Sequence, residues 1–290
     1  MREEIARDHF WIADDGLRLH ARLYGQSAGA NLPVVCIPGL TRNAKDFEEL
    51  APWIASRGRQ VVAVDLRGRA QSDRDPSARS YSPRVYARDI ASLMRSIGAS
   101  KALFVGTSLG GLVTMALAGD QPNLIGGAVL NDVGPKVAKA GVERIRSYAG
   151  KSSSVRTWDE AAAYTKRTNG AAFPDLADEK WAEMARRLFR DDGGTPVLDY
   201  DPAIFKPPSA LAMWLAGPVM WRLFKRLGRC GPLSLIYGAI TDVLDQATIR
   251  RMQLAAPALR VAAVPRVGHA PLLTESEALD AIRFWLNECP

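Results

Sequence analysis

Histidine and cysteine are scarce, with three of each in 290 residues. Cys36, Cys230 and Cys289 are odd in number, far apart and without a Cys-x-x-Cys pair, which excludes a disulfide framework and a structural zinc site. Cys36 sits in an apolar stretch and reads as a buried core thiol. No internal repeat, linker or low-complexity segment is present. The first residues carry mixed charge with no apolar run behind them, so no signal peptide is expected. The longest uncharged run, 102–119, reaches membrane-spanning length but is interrupted by glycines and a serine turn, and a buried strand followed by a buried helix accounts for it better. The net charge of +7 comes largely from scattered arginines and has no nucleic-acid motif beside it. What is left is an ordinary globular composition, 47% hydrophobic and 24% charged, in a chain long enough for a sizeable core. A reducing, cytoplasmic setting is expected, with a small-molecule partner and neither nucleic acid nor membrane. The oligomeric state stays open.

Taken in order, residues 10–12, the Asp14-Asp15-Gly16 turn and the alternating stretch 17–24 have the pattern of an antiparallel hairpin. Apolar runs recur at 33–37, 61–64, 103–105 and 125–130, separated by helical patterns at 46–55, 82–97 and from Leu109 onward. Such alternation predicts a parallel sheet covered on both faces. From Gly134 to about Leu227 it stops, and only helices are expected there. One is opened by a capping box at Thr157-Trp158-Asp159-Glu160, one covers 176–190, and one covers 211–227 with a break at Gly217-Pro218. Alternation resumes with a strand at 233–237, a helix at 245–255 and a strand at 259–264. A last helix is expected behind a second capping box, Thr274-Glu275-Ser276-Glu277. The simplest division is a core of 1–133 and 228–290 with a helical insertion, a lid, at 134–227.

The stretch Leu103-Phe104-Val105-Gly106-Thr107-Ser108-Leu109-Gly110-Gly111 organises this pattern. It combines a strand, a glycine–x–serine–x–glycine turn and the start of a helix, which holds a serine hydroxyl above the sheet edge. A serine needs an adjacent base to act as a nucleophile. His9 and His20 lie in the N-terminal hairpin, whereas His269 follows the last strand and emerges at the carboxyl edge where Ser108 emerges. His269 is therefore the expected base. The base needs a carboxylate to hold its tautomer. Asp132 and Asp242 both follow strands and both precede His269; Asp242 is the expected partner and Asp132 the alternative. Asp245 reads as a helix cap. Two backbone N–H groups should face a developing oxyanion, that of Leu109 and that of Leu40 in the Pro38-Gly39-Leu40 loop.

In these residues the chain resembles the α/β-hydrolase superfamily over nearly its full length. The resemblance is carried by Pro38-Gly39-Leu40, the block from Asp65 to Asp73, Gly106-Thr107-Ser108-Leu109-Gly110-Gly111, Tyr237-Gly238 through Asp242, and Gly268-His269-Ala270-Pro271, in family order. It implies an α/β fold with an eight-stranded, mostly parallel sheet flanked by helices and a helical cap after the sixth strand. It further implies ester or related hydrolysis without a cofactor or metal. One departure is visible, since many relatives have histidine where this chain has Pro38. A serine at 108 also separates the chain from relatives with an aspartate nucleophile.

Hydrolysis of a carboxylic ester or lactone by Ser108, His269 and Asp242 is the expected activity. Carbon–carbon bond hydrolysis of a diketone-like acid, with Arg42 meeting the carboxylate, is the second expectation, and a non-catalytic binding protein on the same fold the third. Arg42, Asn43 and Trp214 are candidate substrate-binding residues; Met213, Trp221, Phe205 and Phe173 are further candidates for an apolar pocket. The basic aromatic segment 220–227 suits either a packed cap helix or a membrane-interface helix, and the packed helix is expected.

Overall fold

The computed structural model describes residues 6–26, 31–151, 154–205 and 210–290, with the side chains of 210–216 outside the description. The first two strands, β1 (Arg7–Ile12) and β2 (Arg18–Tyr24), form the hairpin expected from their alternation. Then β3 (Val34–Ile37), α1 (Leu50–Ala55), β4 (Val61–Asp65), α2 (Pro83–Ser96), β5 (Ala102–Thr107), α3 (Leu109–Asp120) and β6 (Ile125–Asn131) alternate as the apolar runs dictate. Ser82 caps α2 through its side chain, with Pro83 at the first helical position, where its missing N–H costs nothing.

After β6 come α4 (Lys139–Tyr148), α5 (Trp158–Asn169) and α6 (Asp178–Leu188). The expectation of helices alone fails here. A two-stranded antiparallel hairpin, β7 (Phe189–Asp192) and β8 (Thr195–Leu198), turns through Gly193 and Gly194 at φ +64° and +90°. Helix α7 (Ala210–Leu227) then runs through Pro218 without the expected break. Its Trp221, Phe224 and Leu227 are buried with Val113 and Leu117 of α3, in the apolar cluster of the sheet itself. The last two turns of α7 thus pack on the helix layer of the sheet.

The chain closes with β9 (Leu233–Gly238), α8 (Gln246–Ala255), β10 (Arg260–Val264) and α9 (Ser276–Glu288). Asp245 caps α8, as its position suggests. The second capping box does not form: Glu275 turns its carboxylate back to the N–H groups of Leu272 and Thr274.

The eight strands of the main sheet lie in the order β1-β2-β4-β3-β5-β6-β9-β10, with β3 to β10 parallel and β2 antiparallel to β4. The central strands are buried on both faces, which explains their unbroken apolar runs. One face packs against α1 and α9, with Trp285 and Ile282 at its centre. The other packs against α2, α3, α7 and α8. From β3 the chain moves outward to β4, then returns to place β5 on the other side of β3. That reversal opens a crevice at the carboxyl ends of β3 and β5, where open α/β sheets receive ligands. Among the described residues no helix is long and apolar enough to cross a membrane. The aromatic face of 220–227 is turned inward, leaving Arg222, Lys225 and Arg226 outside.

Candidate active site

Ser108 stands between β5 and α3 with φ +51° and ψ −112°, a strained conformation for a residue with a side chain. Its neighbours must be small. A Cβ at Gly110 would lie 2.1 Å from the Ile37 carbonyl oxygen, and one at Gly106 2.6 Å from the Gly110 backbone. Glycine at both positions lets β3, β5 and the first turn of α3 close on one another, which drives the serine out of the sheet edge. The Ser108 N–H donates to Asn131 O at 2.9 Å. The Asn131 amide in turn reaches Thr107 Oγ1 at 3.1 Å and Pro271 O at 2.8 Å. The last residue of β6 therefore ties the serine turn to the histidine loop.

That loop brings His269 Nε2 to 2.9 Å from Ser108 Oγ. On its other side Nδ1 meets Asp132 Oδ2 at 2.7 Å. With Nδ1–H donating to the carboxylate, Nε2 is the acceptor for the serine hydroxyl. Asp132 is fully buried at φ +54°, and its charge is met by the Gly238 N–H at 3.1 Å and Thr241 Oγ1 at 2.6 Å as well as by the imidazole.

The expected role of Asp242 is thus corrected. Its carboxylate forms a two-pronged pair with Arg144 at 2.6 and 2.9 Å, which holds it below the usual carboxylate range, and it makes no hydrogen bond to His269. The physical reason is adjacency: β6 and β9 are neighbours, and the turn after β6 already presents Asp132 to the imidazole. The four residues after Gly238 carry Asp242 on towards α4, where Gly141 N–H donates to its carbonyl.

The Leu40 and Leu109 backbone N–H groups have no protein acceptor among the described residues. For Leu109 this follows from its place at the first turn of α3. The loop of Leu40 is held from below by Arg69, which donates to Leu40 O at 3.1 and 3.0 Å while its other nitrogen reaches Arg67 O at 2.6 Å and Tyr86 Oη at 2.8 Å. Arg69 is buried with no carboxylate in hydrogen-bond reach among the described residues, its donors taken up by neutral oxygens. Sequence reasoning did not single out Arg69, Asn131 or Thr241; a buried arginine in a polar loop has no local pattern to reveal it.

A cavity of about 100 Å³ opens beside the serine, lined by Leu40, Arg42, Tyr148, Tyr164, Phe173 and His269 among others. Of the candidate substrate-binding residues, Arg42 and Phe173 line this cavity. Asn43 does not: it is buried, its Oδ1 accepts from Lys45 N–H at 3.0 Å and its amide donates to Arg187 O at 2.9 Å, so it fastens the loop to the end of α6. Trp221 belongs to the core, Phe205 does not line the cavity, and the side chains of Met213 and Trp214 lie outside the described residues. Of the other histidines, His9 meets Ser96 Oγ and His20 is buried in β2 between two carboxylates. The three cysteines are free thiols, and Cys36 is buried as expected.

A doubly covered sheet with a serine on the turn after β5 and a buried aspartate–histidine pair beside it defines an α/β hydrolase, and the chain belongs to that family. A profile described as "Alpha/beta hydrolase family" matches residues 34–282. The chain is similar to a 3-hydroxybutyrate-oligomer hydrolase of Cupriavidus necator, 34% identical over 83% of this chain and 84% of the relative. It is also similar to a 2-(acetamidomethylene)succinate hydrolase of Mesorhizobium japonicum, 25% identical over 93% of this chain and 92% of the relative. Among solved structures, an alpha/beta hydrolase from Novosphingobium aromaticivorans superposes with a TM-score of 0.88 at 37% identity, covering 99% of both chains.

Proposed function

We propose that this chain is a serine hydrolase that cleaves a carboxylic ester through an acyl-enzyme. Ser108 Oγ attacks the ester carbonyl while His269 Nε2 takes its proton, and Asp132 holds the imidazole tautomer and stabilises the imidazolium. The carbonyl oxygen becomes an oxyanion facing the N–H groups of Leu40 and Leu109, donors worth about 3 kcal/mol each in such a transition state. Collapse expels the alkoxide, which takes the proton from His269. Water, deprotonated by the same nitrogen, then releases the acid and restores Ser108. Helices α4 to α6 and the β7–β8 hairpin serve as the cap over this chemistry.

The single observation carrying this reading is the unbroken Ser108–His269–Asp132 hydrogen-bond chain at 2.9 and 2.7 Å. The similarity to an enzyme named for hydrolysing 3-hydroxybutyrate oligomers favours aliphatic esters. Carbon–carbon hydrolysis of a diketone-like acid is less well supported, because the arginine expected to meet its carboxylate is already paired with Asp46. Labelling with a fluorophosphonate probe and mapping of the adduct tests the proposal. An adduct on Ser108 that disappears in His269→Ala, together with turnover of p-nitrophenyl butyrate, is expected. A folded protein that neither labels nor turns over would instead be a ligand-binding relative.

A further inference from the structure

The cavity beside Ser108 carries more polar groups than an alkyl chain requires. Arg42, Asp46, Tyr148 and Tyr164 all line it. Asp46 occupies Nε and Nη2 of Arg42 in three contacts of 2.6 to 2.9 Å, which leaves Nη1 with no protein acceptor among the described residues. The guanidiniums of Arg42 and Arg144 both act on the Tyr148 phenol, yet burial dominates and keeps it protonated, hence a donor. Arg144 is itself fixed by Asp242. Two carboxylate-anchored arginines therefore frame a pair of donors, one N–H and one O–H, with no net charge.

A donor set of this kind discriminates among ligands. A carboxylate would surrender its hydration to approach a guanidinium whose charge Asp46 already compensates, and would face the Asp46 carboxylate across the same cavity. An alkyl chain would leave the donors unpaired. A neutral carbonyl oxygen accepts both hydrogen bonds and loses little hydration in doing so.

We propose that Arg42 Nη1 and Tyr148 Oη form a subsite for a second, uncharged carbonyl oxygen in the acyl part of the substrate, so that oligoester-like acyl groups are preferred to plain alkyl ones. This rests on the serine-ester reading above and names the substrate feature that site selects.

The test compares kcat/KM for p-nitrophenyl 3-acetoxybutyrate and its hydrocarbon match, p-nitrophenyl 3-methylhexanoate, each divided by its own hydroxide-catalysed rate. The acetoxy ester is expected to be favoured at least tenfold, mainly through KM. Tyr148→Phe, which removes one oxygen and keeps the ring, should cut that preference severalfold. Arg42→Met should bring the preference close to unity. Equal use of both esters by wild type, or a preference untouched by both variants, overturns the subsite while Ser108 labelling leaves the serine-hydrolase reading standing. A preference for p-nitrophenyl hydrogen glutarate over both esters overturns it as well, in favour of an anion site. Absence of labelling and of all hydrolysis removes the serine reading and the subsite together.

Discussion

Asp132 and His269 lie 137 residues apart in the chain and meet at 2.7 Å, with the aspartate fully buried and the imidazole between it and Ser108. Asp132→Asn should lower kcat/KM for p-nitrophenyl butyrate by about 10³ to 10⁴-fold, because the amide no longer enforces the Nδ1–H tautomer. Asp242→Asn should cost less than about tenfold. A larger loss from Asp242→Asn than from Asp132→Asn would reverse the assignment.

Removal of the Ser108 hydroxyl is the cleaner test of chemistry against folding. Ser108→Ala should abolish probe labelling and lower turnover by up to about 10⁶-fold. It also deletes no buried contact of consequence, since the hydroxyl bonds only His269 among the described residues. The melting temperature should stay within a few degrees of wild type; unfolding instead would show that the strained turn depends on the hydroxyl.

Tight closure at the same turn predicts the opposite outcome for Gly110→Ala. Its Cβ would meet the Ile37 carbonyl at 2.1 Å, a backbone atom that cannot swing aside. A destabilisation of about 1–3 kcal/mol or more is expected, read as a lower urea midpoint with unchanged slope. A neutral effect would mean that β3 moves freely against α3.

His20 gives a pH prediction. Burial opposes its charge, but hydrogen bonds to Asp65 at 2.6 Å and Asp8 at 2.9 Å outweigh burial and raise the pKa above 6.5. A group whose folded pKa is raised adds stability that is complete below its unfolded pKa, about 6.5, and is lost as pH rises through the folded value. The stability gap between wild type and His20→Gln should therefore be widest near pH 6 and shrink towards pH 9. A gap that stays constant across that range would show that His20 acts by packing alone.

Which parts of this molecule its sequence reveals depends on how local the controlling forces are. Ser108 and the strands around it are legible because the glycines, the apolar runs and the helix start are contiguous. His269 is legible because two of three histidines sit in the edge hairpin. The partner of His269 is not, since Asp132 and Asp242 each follow a strand, those strands are neighbours, and only the path of the turn after each decides which carboxylate arrives. Asn43 looked available to substrate for want of any sign that Arg187, 144 positions on, would claim its amide. The β7–β8 hairpin did carry a local signal in Asp192-Gly193-Gly194-Thr195, masked by the helical spacing that runs into it. The surface that α7 covers is not legible either, because its aromatic residues do not name their partner, and that partner, α3, lies far upstream in the chain.

One contact ties the turn after α5 to the histidine loop. Gly268 N–H donates to Ala172 O at 2.7 Å, and a Cβ at Gly268 would come within 2.9 Å of Ala172 Cα. Ala172 thus holds the residue next to His269. The placement of the imidazole against Ser108 therefore leans on a residue nearly a hundred positions upstream, and anything that displaces Ala172 also displaces the loop that carries His269.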